Sequence, residues 1–519
     1  MKKPQNAYRV SLKYHSLLLP IIYLSVSWAW ADVKLPAIFS DHMVLQRDIS
    51  IPVWGWADPG EKVTVQIEGQ TKTATANADG QWSLKLDKLS ATAPVTLTVK
   101  GRNTIVITDV LVGEVWLASG QSNMQLPVND VMNAGKEKAT ADFPQIRMFT
   151  VARRPAATPQ TDCEGEWVVC SPQTAGRFSA AAYFFARDLH QKLKIPVGVI
   201  HASWGATPIE TWTSMERMEG KPEFAPVFKA WEAKLSVPYD EQKAEAEYVR
   251  ALEMWTKTVA QRTAAGEKLP PRPEKKGDPR LDKNYPANLF NGMIAPIIPY
   301  GIRGAIWYQG ENNAGSAFPR LYAKQLPLLI KDWRERWGLG DFSFAWVQLP
   351  NFQPNAKVSA SQGWPIIRNG MLKSLSVTNT GMAITMDVGD PKNIHPQNKQ
   401  AVGHRLALWA RAKVYGENIP YSGPLPARRR IDGSRITVSF QHTDGGLVAK
   451  DGELREFEIA GKDGKWVRAM AQIRDDQVII SSPEVTAPVA ARYAWSDNPN
   501  CNLYNGAGLP ASPFRTDDW

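Results

Sequence analysis

Polar segments with the residue types that acyl transfer requires are spaced along this sequence. Ser122 lies in Gly-Gln-Ser-Asn-Met, directly after an apolar run. A serine at the turn from a strand into a helix can expose its hydroxyl, and the N–H groups of the turn would face a developing oxyanion. A helix N-cap serine has the same appearance, so this motif alone leaves both roles open.

A serine nucleophile needs a base that titrates near neutral pH, and histidine meets that need. The chain has seven histidines. His395 lies in a polar loop with Asp387 and Asp390 just upstream, which makes it the first candidate. His201 is a second candidate, because it lies close to the end of a predicted strand. The other histidines fall in helical patterns, in β regions or in the N-terminal leader.

Two more segments offer hydrogen-bond donors. Gly205 lies in Ser-Trp-Gly-Ala, and a glycine lets its backbone N–H approach a ligand closely. The segment 307–313, Trp-Tyr-Gln-Gly-Glu-Asn-Asn, supplies side-chain amides, which are common members of oxyanion holes. An ordinary turn glycine and a polar loop are the alternatives for the two segments taken singly.

Each of these motifs follows an apolar run that reads as a strand, and helical patterns separate the runs. The predicted strands are Val110–Leu117, Val197–Ala202, Gly304–Tyr308, Phe344–Leu349 and Met382–Val388; the predicted helices are Ser179–Lys194, Leu321–Trp337, Pro365–Ser376 and Lys399–Tyr415. Such alternation predicts an α/β fold with a parallel sheet covered by helices on both faces. Ligands of these sheets bind beyond the carboxyl ends of the strands, where all four motifs lie.

The pattern also predicts the division of the chain. Residues 32–108 alternate apolar and polar side chains between turn signals, which indicates a β-sandwich or jelly-roll module. Residues 109–416 form the catalytic domain, with a surface helical insertion at 222–285 that is rich in Lys, Glu and Ala. Residues 417–519 return to β patterning and form a C-terminal β module.

Several of these segments together resemble the sialate O-acetylesterase family, a branch of the SGNH (GDSL-like) hydrolases. The resemblance rests on 120–124, 307–312 and Ile394-His395-Pro396, and on the stretches 35–46 and 508–515. It implies a flavodoxin-like SGNH sheet and a serine esterase that removes O-acetyl groups from sugars. Acetylated sialic acid and acetylated xylan oligosaccharides are both open as substrates.

Position by position, the resemblance implies Ser122 as nucleophile and His395 as base, with the N–H groups of Ser122 and Gly205 and the amide of Asn312 as the oxyanion hole. The family pattern has an Asp three residues before the His, but this chain has Lys392 there. We therefore expect Asp390 to orient His395, with a backbone carbonyl as the alternative. Side chains expected to contact substrate are Gln121, Trp204, Gln309, Glu311 and Arg368.

Two functions other than a serine esterase also have some support in the sequence. A glycosidase would need two facing carboxylates, for which Glu114 and Glu311 are the pair near strand ends. A non-catalytic sugar-binding protein could use the abundant tryptophans, which number 20. The sequence has no His-Glu-x-x-His, no Cys-x-x-Cys and no glycine-rich phosphate loop, so we expect neither a metal nor another cofactor.

The first 31 residues read as a secretory signal peptide, with a basic start, an apolar run and an Ala-Trp-Ala end. Their removal takes away four basic and no acidic residues, leaving 488 residues and a net charge of +6 instead of +10. We expect a periplasmic or secreted protein that binds neither nucleic acid nor, after cleavage, a membrane. Export permits disulfides, and Cys163 and Cys170 are the expected pair.

Overall fold

The computed structural model describes residues 32–353 and 363–519. The predicted signal peptide, residues 1–31, lies outside the described residues. Within the described part of the chain, no helix is both long enough and apolar enough to cross a membrane.

The N-terminal region is built of strands, as its alternating pattern predicts. They are β1 (Val44–Gln46), β2 (Ile51–Trp56), β3 (Lys62–Ile67), β4 (Gln70–Thr75), β5 (Gln81–Leu86), β6 (Val95–Lys100) and β7 (Thr104–Gly120). β3 shows the alternation clearly, because Val63, Val65 and Ile67 are buried while Lys62 and Gln66 are exposed.

Strand β7 is 17 residues long and belongs to two regions at once. Its first part pairs antiparallel with β6, from Lys100 opposite Thr104 to Val95 opposite Val110. From Val110 onward every residue of β7 is buried, and this part pairs in parallel with two central strands. The predicted boundary at 108/109 therefore falls inside one continuous strand.

The central region alternates strands and helices. Its elements are α1 (Ser122–Gln125), α2 (Ala134–Ala139), β8 (Phe143–Thr150), β9 (Trp167–Cys170), α3 (Ala180–Leu193), β10 (Val197–Ser203), α4 (Met215–Met218), α5 (Ala225–Leu235), α6 (Glu241–Ala265), β11 (Gly304–Tyr308), α7 (Glu311–Ala314), α8 (Tyr322–Trp337), β12 (Ser343–Val347), α9 (Gly363–Lys373), β13 (Thr380–Ala383) and α10 (Lys399–Lys413).

The central strands form a mostly parallel sheet in the order β13-β12-β11-β7-β10-β8, with β9 antiparallel at the edge. Apolar residues of α3 and α10 cover one face of this sheet, and those of α8 and α9 cover the other. The expected sheet with helices on both faces is confirmed. Gly120, at the end of β7, lies opposite both Ser203 of β10 and Tyr308 of β11, so the loops after these strands meet.

The segment 222–285 contains the two helices α5 and α6, in agreement with the predicted helical insertion. Ala244 is the one residue of α6 that is buried, so this 25-residue helix lies at the surface.

The C-terminal region is again built of strands. They are β14 (Leu425–Asp432), β15 (Arg435–Gln441), β16 (Leu447–Ala449), β17 (Phe457–Ala460), β18 (Trp466–Arg468), β19 (Met470–Arg474), β20 (Gln477–Ser481), β21 (Ala490–Tyr493), β22 (Leu503–Asn505) and β23 (Phe514–Arg515). They form sheets of their own around a separate apolar core.

The expected disulfide is absent, because Cys163 and Cys170 are both free thiols. Cys170 belongs to the apolar cluster on the α3 face of the sheet, and its Sγ lies 3.5 Å from the Ala141 carbonyl oxygen. Cys163 packs instead against the cluster of the opposite face. Burial raises the pKa of each thiol to about 12, which leaves both in the unreactive protonated form.

Candidate active site

The turn that carries Ser122 depends on a glycine. Gly120 has a φ of +140°, and a Cβ at this position would lie 2.1 Å from the backbone oxygen of Tyr308. Only glycine allows β7 and β11 to approach so closely before the chain turns into α1. Ser122 is the first residue of α1 and is half-buried, so its N–H belongs to the unpaired first turn of the helix.

Gly205 lies against Ser122. A Cβ on Gly205 would be 3.3 Å from the Ser122 Cβ. The loop is held by the Trp204 N–H, which donates to the Gly120 carbonyl at 3.1 Å. The Gly205 N–H itself donates to Oε1 of Gln125 at 2.8 Å. Gly205 therefore lies beside Ser122, but its N–H is bound by a neighbouring side chain, and its role as an oxyanion donor stays a prediction.

The side chain of Gln121 ties the Asn312 loop to the serine turn. Its Oε1 accepts from the N–H of Asn312 at 3.2 Å. The neighbouring Asn313 is fully used inside the protein, because it accepts from the Ile209 N–H at 3.0 Å and donates to Glu210 at 3.1 Å. Asn312 is half-buried and makes no side-chain hydrogen bond with the described residues, so its amide is available to a ligand.

His395 is brought to the serine turn through its chain neighbours. Asn123 Nδ2 donates to the carbonyl of Ile394 at 3.0 Å, and the Lys399 ammonium donates to the carbonyl of Pro396 at 2.6 Å. Desolvation, and then the charge of Lys399, lower the pKa of His395 below its usual value of 6.5. The imidazole is thus neutral at pH 7, as a general base must be.

His201 does not compete for this role. It is buried, and its Nε2 lies 2.6 Å from the Ser203 hydroxyl. Desolvation and the charge of Arg153 lower its pKa to about 4. Its place in the interior of β10 makes it a structural histidine.

Neither candidate aspartate bonds to His395 in the described structure. The Asp390 carboxylate accepts from the backbone N–H of Lys392 at 2.8 Å. Asp387 makes a two-point ion pair with Arg405 at 2.6 and 2.8 Å. The orienting role of Asp390 therefore stays a prediction.

Most of the side chains that were expected to contact substrate are buried in the protein. Gln121, Gln309, Glu311 and Arg368 are all at most 6% exposed. Gln309 donates to the Thr207 carbonyl and to Asn313, and Arg368 donates to carbonyls of segments 349–350 and 496–497. Most of their polar groups bind other parts of the fold, which the spacing of the motifs could not reveal. Gln309 Oε1 and Glu311 Oε2 are buried without a hydrogen-bond partner among the described residues.

Trp204 is the half-exposed member of that set, and two cations flank it. The Lys283 ammonium lies 5.5 Å from the Trp204 ring centroid and donates to the Gly205 carbonyl at 2.8 Å. The guanidinium of Arg153, an exposed residue, lies 5.8 Å from the same ring. Neither cation was predicted from the sequence, because Arg153 and Lys283 come from distant segments and belong to no motif.

The glycosidase pair is excluded by position. Glu114 is fully buried and ion-paired with Arg47 at 2.5 Å and with Arg303 at 2.6 Å. It lies six residues before the end of β7, which is about 20 Å along a strand. Glu311 lies instead just beyond the end of β11, where it accepts from Asn123 at 2.5 Å.

The chain is similar to known sialate O-acetylesterases over nearly its whole length. It is 31% identical over 557 residues to the sialate O-acetylesterase of Rattus norvegicus, covering 97% of this chain and 98% of that protein. The chain belongs to the sialate O-acetylesterase family. The human sialate O-acetylesterase is 30% identical, with coverage of 96% and 95%. No family model matches the sequence.

A solved structure agrees with this membership of the sialate O-acetylesterase family. A carbohydrate acetylesterase from Xanthomonas citri superposes with a TM-score of 0.78 at 35% identity, covering 94% of this chain and 100% of that one. Both names denote carboxylic ester hydrolases, so the family member described here is an enzyme of that class. The prediction of an esterase is confirmed, and a non-catalytic sugar-binding protein is set aside.

Proposed function

We propose that this enzyme has the SGNH-hydrolase architecture and removes O-acetyl groups from sugars through an acyl-enzyme on Ser122, with His395 as general base. The convergence of the loops after β7, β10 and β11 at Gly120 carries this assignment. It brings Gly205 against Ser122, while Asn123 joins the serine turn to the segment before His395.

In the proposed reaction, His395 accepts the hydroxyl proton of Ser122 as its Oγ attacks the acetyl carbonyl carbon. The oxyanion that forms receives hydrogen bonds from the N–H groups of Ser122 and Gly205 and from the Asn312 amide. The imidazolium then gives its proton to the sugar oxygen, which leaves as an alcohol. His395 then takes a proton from a water molecule, whose oxygen attacks the acetyl-serine carbonyl carbon. The bond from that carbon to Ser122 Oγ breaks, the imidazolium returns its proton to Oγ, and acetate leaves.

The surroundings of Trp204 bear on the substrate. An indole face can stack on the apolar face of a sugar ring. Arg153 and Lys283 place positive charge beside it, which favours an acetylated sugar that carries a carboxylate. Acetylated sialic acid fits that description better than neutral acetylated xylan.

The nucleophile is tested with Ser122→Ala. We expect loss of nearly all acetate release from acetylated sialic acid, acetylated xylan and a small chromogenic acetate, and loss of labelling by an organophosphate. A Ser122→Ala enzyme that retains the wild-type rate would overturn the mechanism.

The substrate is tested with Arg153→Gln. We expect KM for the acidic substrate to rise roughly tenfold, because one ion pair with the substrate is lost. KM for the chromogenic acetate should stay constant. Arg154→Gln is the matched control, because Arg154 is the adjacent exposed arginine. An equal change of KM for acidic and neutral substrates would argue against recognition of a carboxylate.

A further inference from the structure

A fully buried lysine lies beneath the candidate active site. Lys399 is the first residue of α10, and its ammonium donates to Asn123 Oδ1 at 2.7 Å and to the Pro396 carbonyl at 2.6 Å. The ammonium also lies 5.4 Å from the centroid of the Tyr308 ring. Lys399 thus contacts the residue after Ser122 and the residue after His395.

Asn123 closes the arrangement from the other side. Its Nδ2 donates to the Ile394 carbonyl at 3.0 Å and to Glu311 Oε1 at 2.5 Å. The two carbonyls that flank His395 in the chain are therefore both held, one by Asn123 and one by Lys399. We call these two residues the Asn123–Lys399 clamp.

The clamp contains a buried charge. The ionisable groups that face Lys399 are Glu311, the imidazole of His395 and the ring of Tyr308. Burial lowers the pKa of Lys399 to about 7, against the opposing effect of Glu311. Burial also raises the pKa of Glu311 above its usual value of 4.5, and it raises that of Tyr308, which stays neutral.

Among the described residues, no aspartate forms a hydrogen bond with the His395 imidazole, whereas the clamp binds the carbonyls of the two residues adjacent to His395. We propose that Asn123 and Lys399 are positioning residues that hold His395 against Ser122, and that the buried Lys399 ammonium also acts on the imidazole through its positive charge. This rests on the proposed function, because it presupposes Ser122 and His395 as nucleophile and base.

The positive charge of Lys399 affects the pH dependence of the enzyme through His395. The acid limb of kcat/KM reports the pKa of the free-enzyme base, which has to be neutral to react. A positive Lys399 disfavours a second positive charge on His395 and lowers that pKa. We therefore expect the limb in the wild-type enzyme to lie below pH 6.5, where Lys399 is protonated, and to move to higher pH when the lysine charge is lost.

Three variants of Lys399 separate charge from position. Lys399→Met has neither charge nor donor, Lys399→Gln keeps a donor without charge, and Lys399→Arg keeps the charge in a different shape. Lys413→Met is the matched control, because Lys413 is the exposed lysine at the end of the same helix. Thermal unfolding of every variant is measured beside kcat and KM for the chromogenic acetate from pH 4 to 9.

We expect kcat to fall roughly 10²-fold in Lys399→Met with little change in KM, the size of effect typical when a general base is misplaced. The acid limb should move to higher pH in Lys399→Met and Lys399→Gln, and should stay in place in Lys399→Arg even though kcat falls. Lys413→Met should match the wild type in rate and in pH profile.

Two results would overturn the proposal. One is a folded Lys399→Met enzyme with the wild-type kcat and acid limb. The other is the same loss of kcat in all three Lys399 variants with no movement of the acid limb, which indicates a purely structural lysine. If Lys399→Met does not fold, Lys399→Gln and Lys399→Arg decide between these outcomes by their acid limbs. Failure of the proposed function gives a different result, because Ser122→Ala would then remain active.

Discussion

At the scale of single residues, the candidate site groups lie close together, but one of the predicted oxyanion donors already has a hydrogen-bond partner. Ser122, Gly205 and Asn312 meet at the end of β7, yet the Gly205 N–H is bound by Gln125. In the proposed mechanism the oxyanion needs that N–H, so the Gln125 side chain would have to leave each time a tetrahedral intermediate forms. The bond to Gln125 would then compete with transition-state stabilisation.

Substitution of Gln125 tests this competition. Gln125→Ala removes the competing acceptor, and we expect kcat/KM to rise roughly two- to tenfold, the value of one net hydrogen bond. Gln125→Glu offers an ionised acceptor that binds the N–H more strongly, and we expect more than a tenfold fall. Both are measured with the chromogenic acetate. Changes in the same direction for the two variants would show that Gln125 supports the loop rather than competing with the oxyanion.

At the scale of elements, the close approach of β7 and β11 fixes the site. Gly120 is the point of contact between the two strand ends, and its backbone conformation is one that side chains rarely adopt. Tyr308, on the other strand, also lies beneath Lys399. A displacement of these strand ends would thus disturb the serine turn and the clamp together.

Gly120→Ala tests that dependence. The added methyl would lie 2.1 Å from a backbone oxygen, so the strands have to separate, and we expect a loss of about 3 kcal/mol or more in unfolding free energy together with loss of activity. Gly315→Ala is the control, because a Cβ there would lie 3.6 Å from its nearest neighbour, the Asn312 carbonyl oxygen. Denaturant unfolding of the two variants gives the comparison. Equal stability would contradict the steric account.

The sequence predicts the strands and helices more accurately than it predicts the contacts between them. The predicted strand Gly304–Tyr308 matches β11, and the helix predicted at Ser179–Lys194 is α3 with one residue fewer at each end, because buried runs and amphipathic helices have strong periods. The expected strand Met382–Val388 is shorter, since β13 ends at Ala383. Roles that depend on long-range packing could not be predicted in this way. Arg368 was expected to contact substrate but is buried, and Cys163 was expected in a disulfide but is a free thiol.

At the scale of the whole molecule, the central and C-terminal regions are joined by a buried arginine. Arg368 of α9 donates to the carbonyls of Leu349 and Pro350 near the central sheet and to those of Ser496 and Asp497 in the C-terminal region. Gln348 adds a bond to the Ser512 hydroxyl at 2.8 Å. Polar bonds of this kind in a buried contact favour unfolding of the two regions as one unit.

Arg368→Met tests that coupling. The substitution removes the donor of the Leu349 and Ser496 carbonyl oxygens, while those of Pro350 and Asp497 keep the Trp364 Nε1–H and the Phe352 N–H. We expect a loss of roughly 3–5 kcal/mol in unfolding free energy. We also expect the wild type to unfold in one thermal transition and this variant to unfold in two. Arg430→Met, at an exposed position of β14, should leave the transition unchanged. Retention of one transition at the wild-type temperature would show that Arg368 does not join the regions.

The long strand β7 limits how this gene can be cut and recombined. A truncation between residues 108 and 109 would cut β7 and remove both β6, which pairs with Val110, and β1, which pairs with Leu111–Gly113. That exposed edge invites association with other chains. Exchange of the N-terminal module between relatives should therefore succeed only when the crossover keeps β6 and the whole of β7 from one parent.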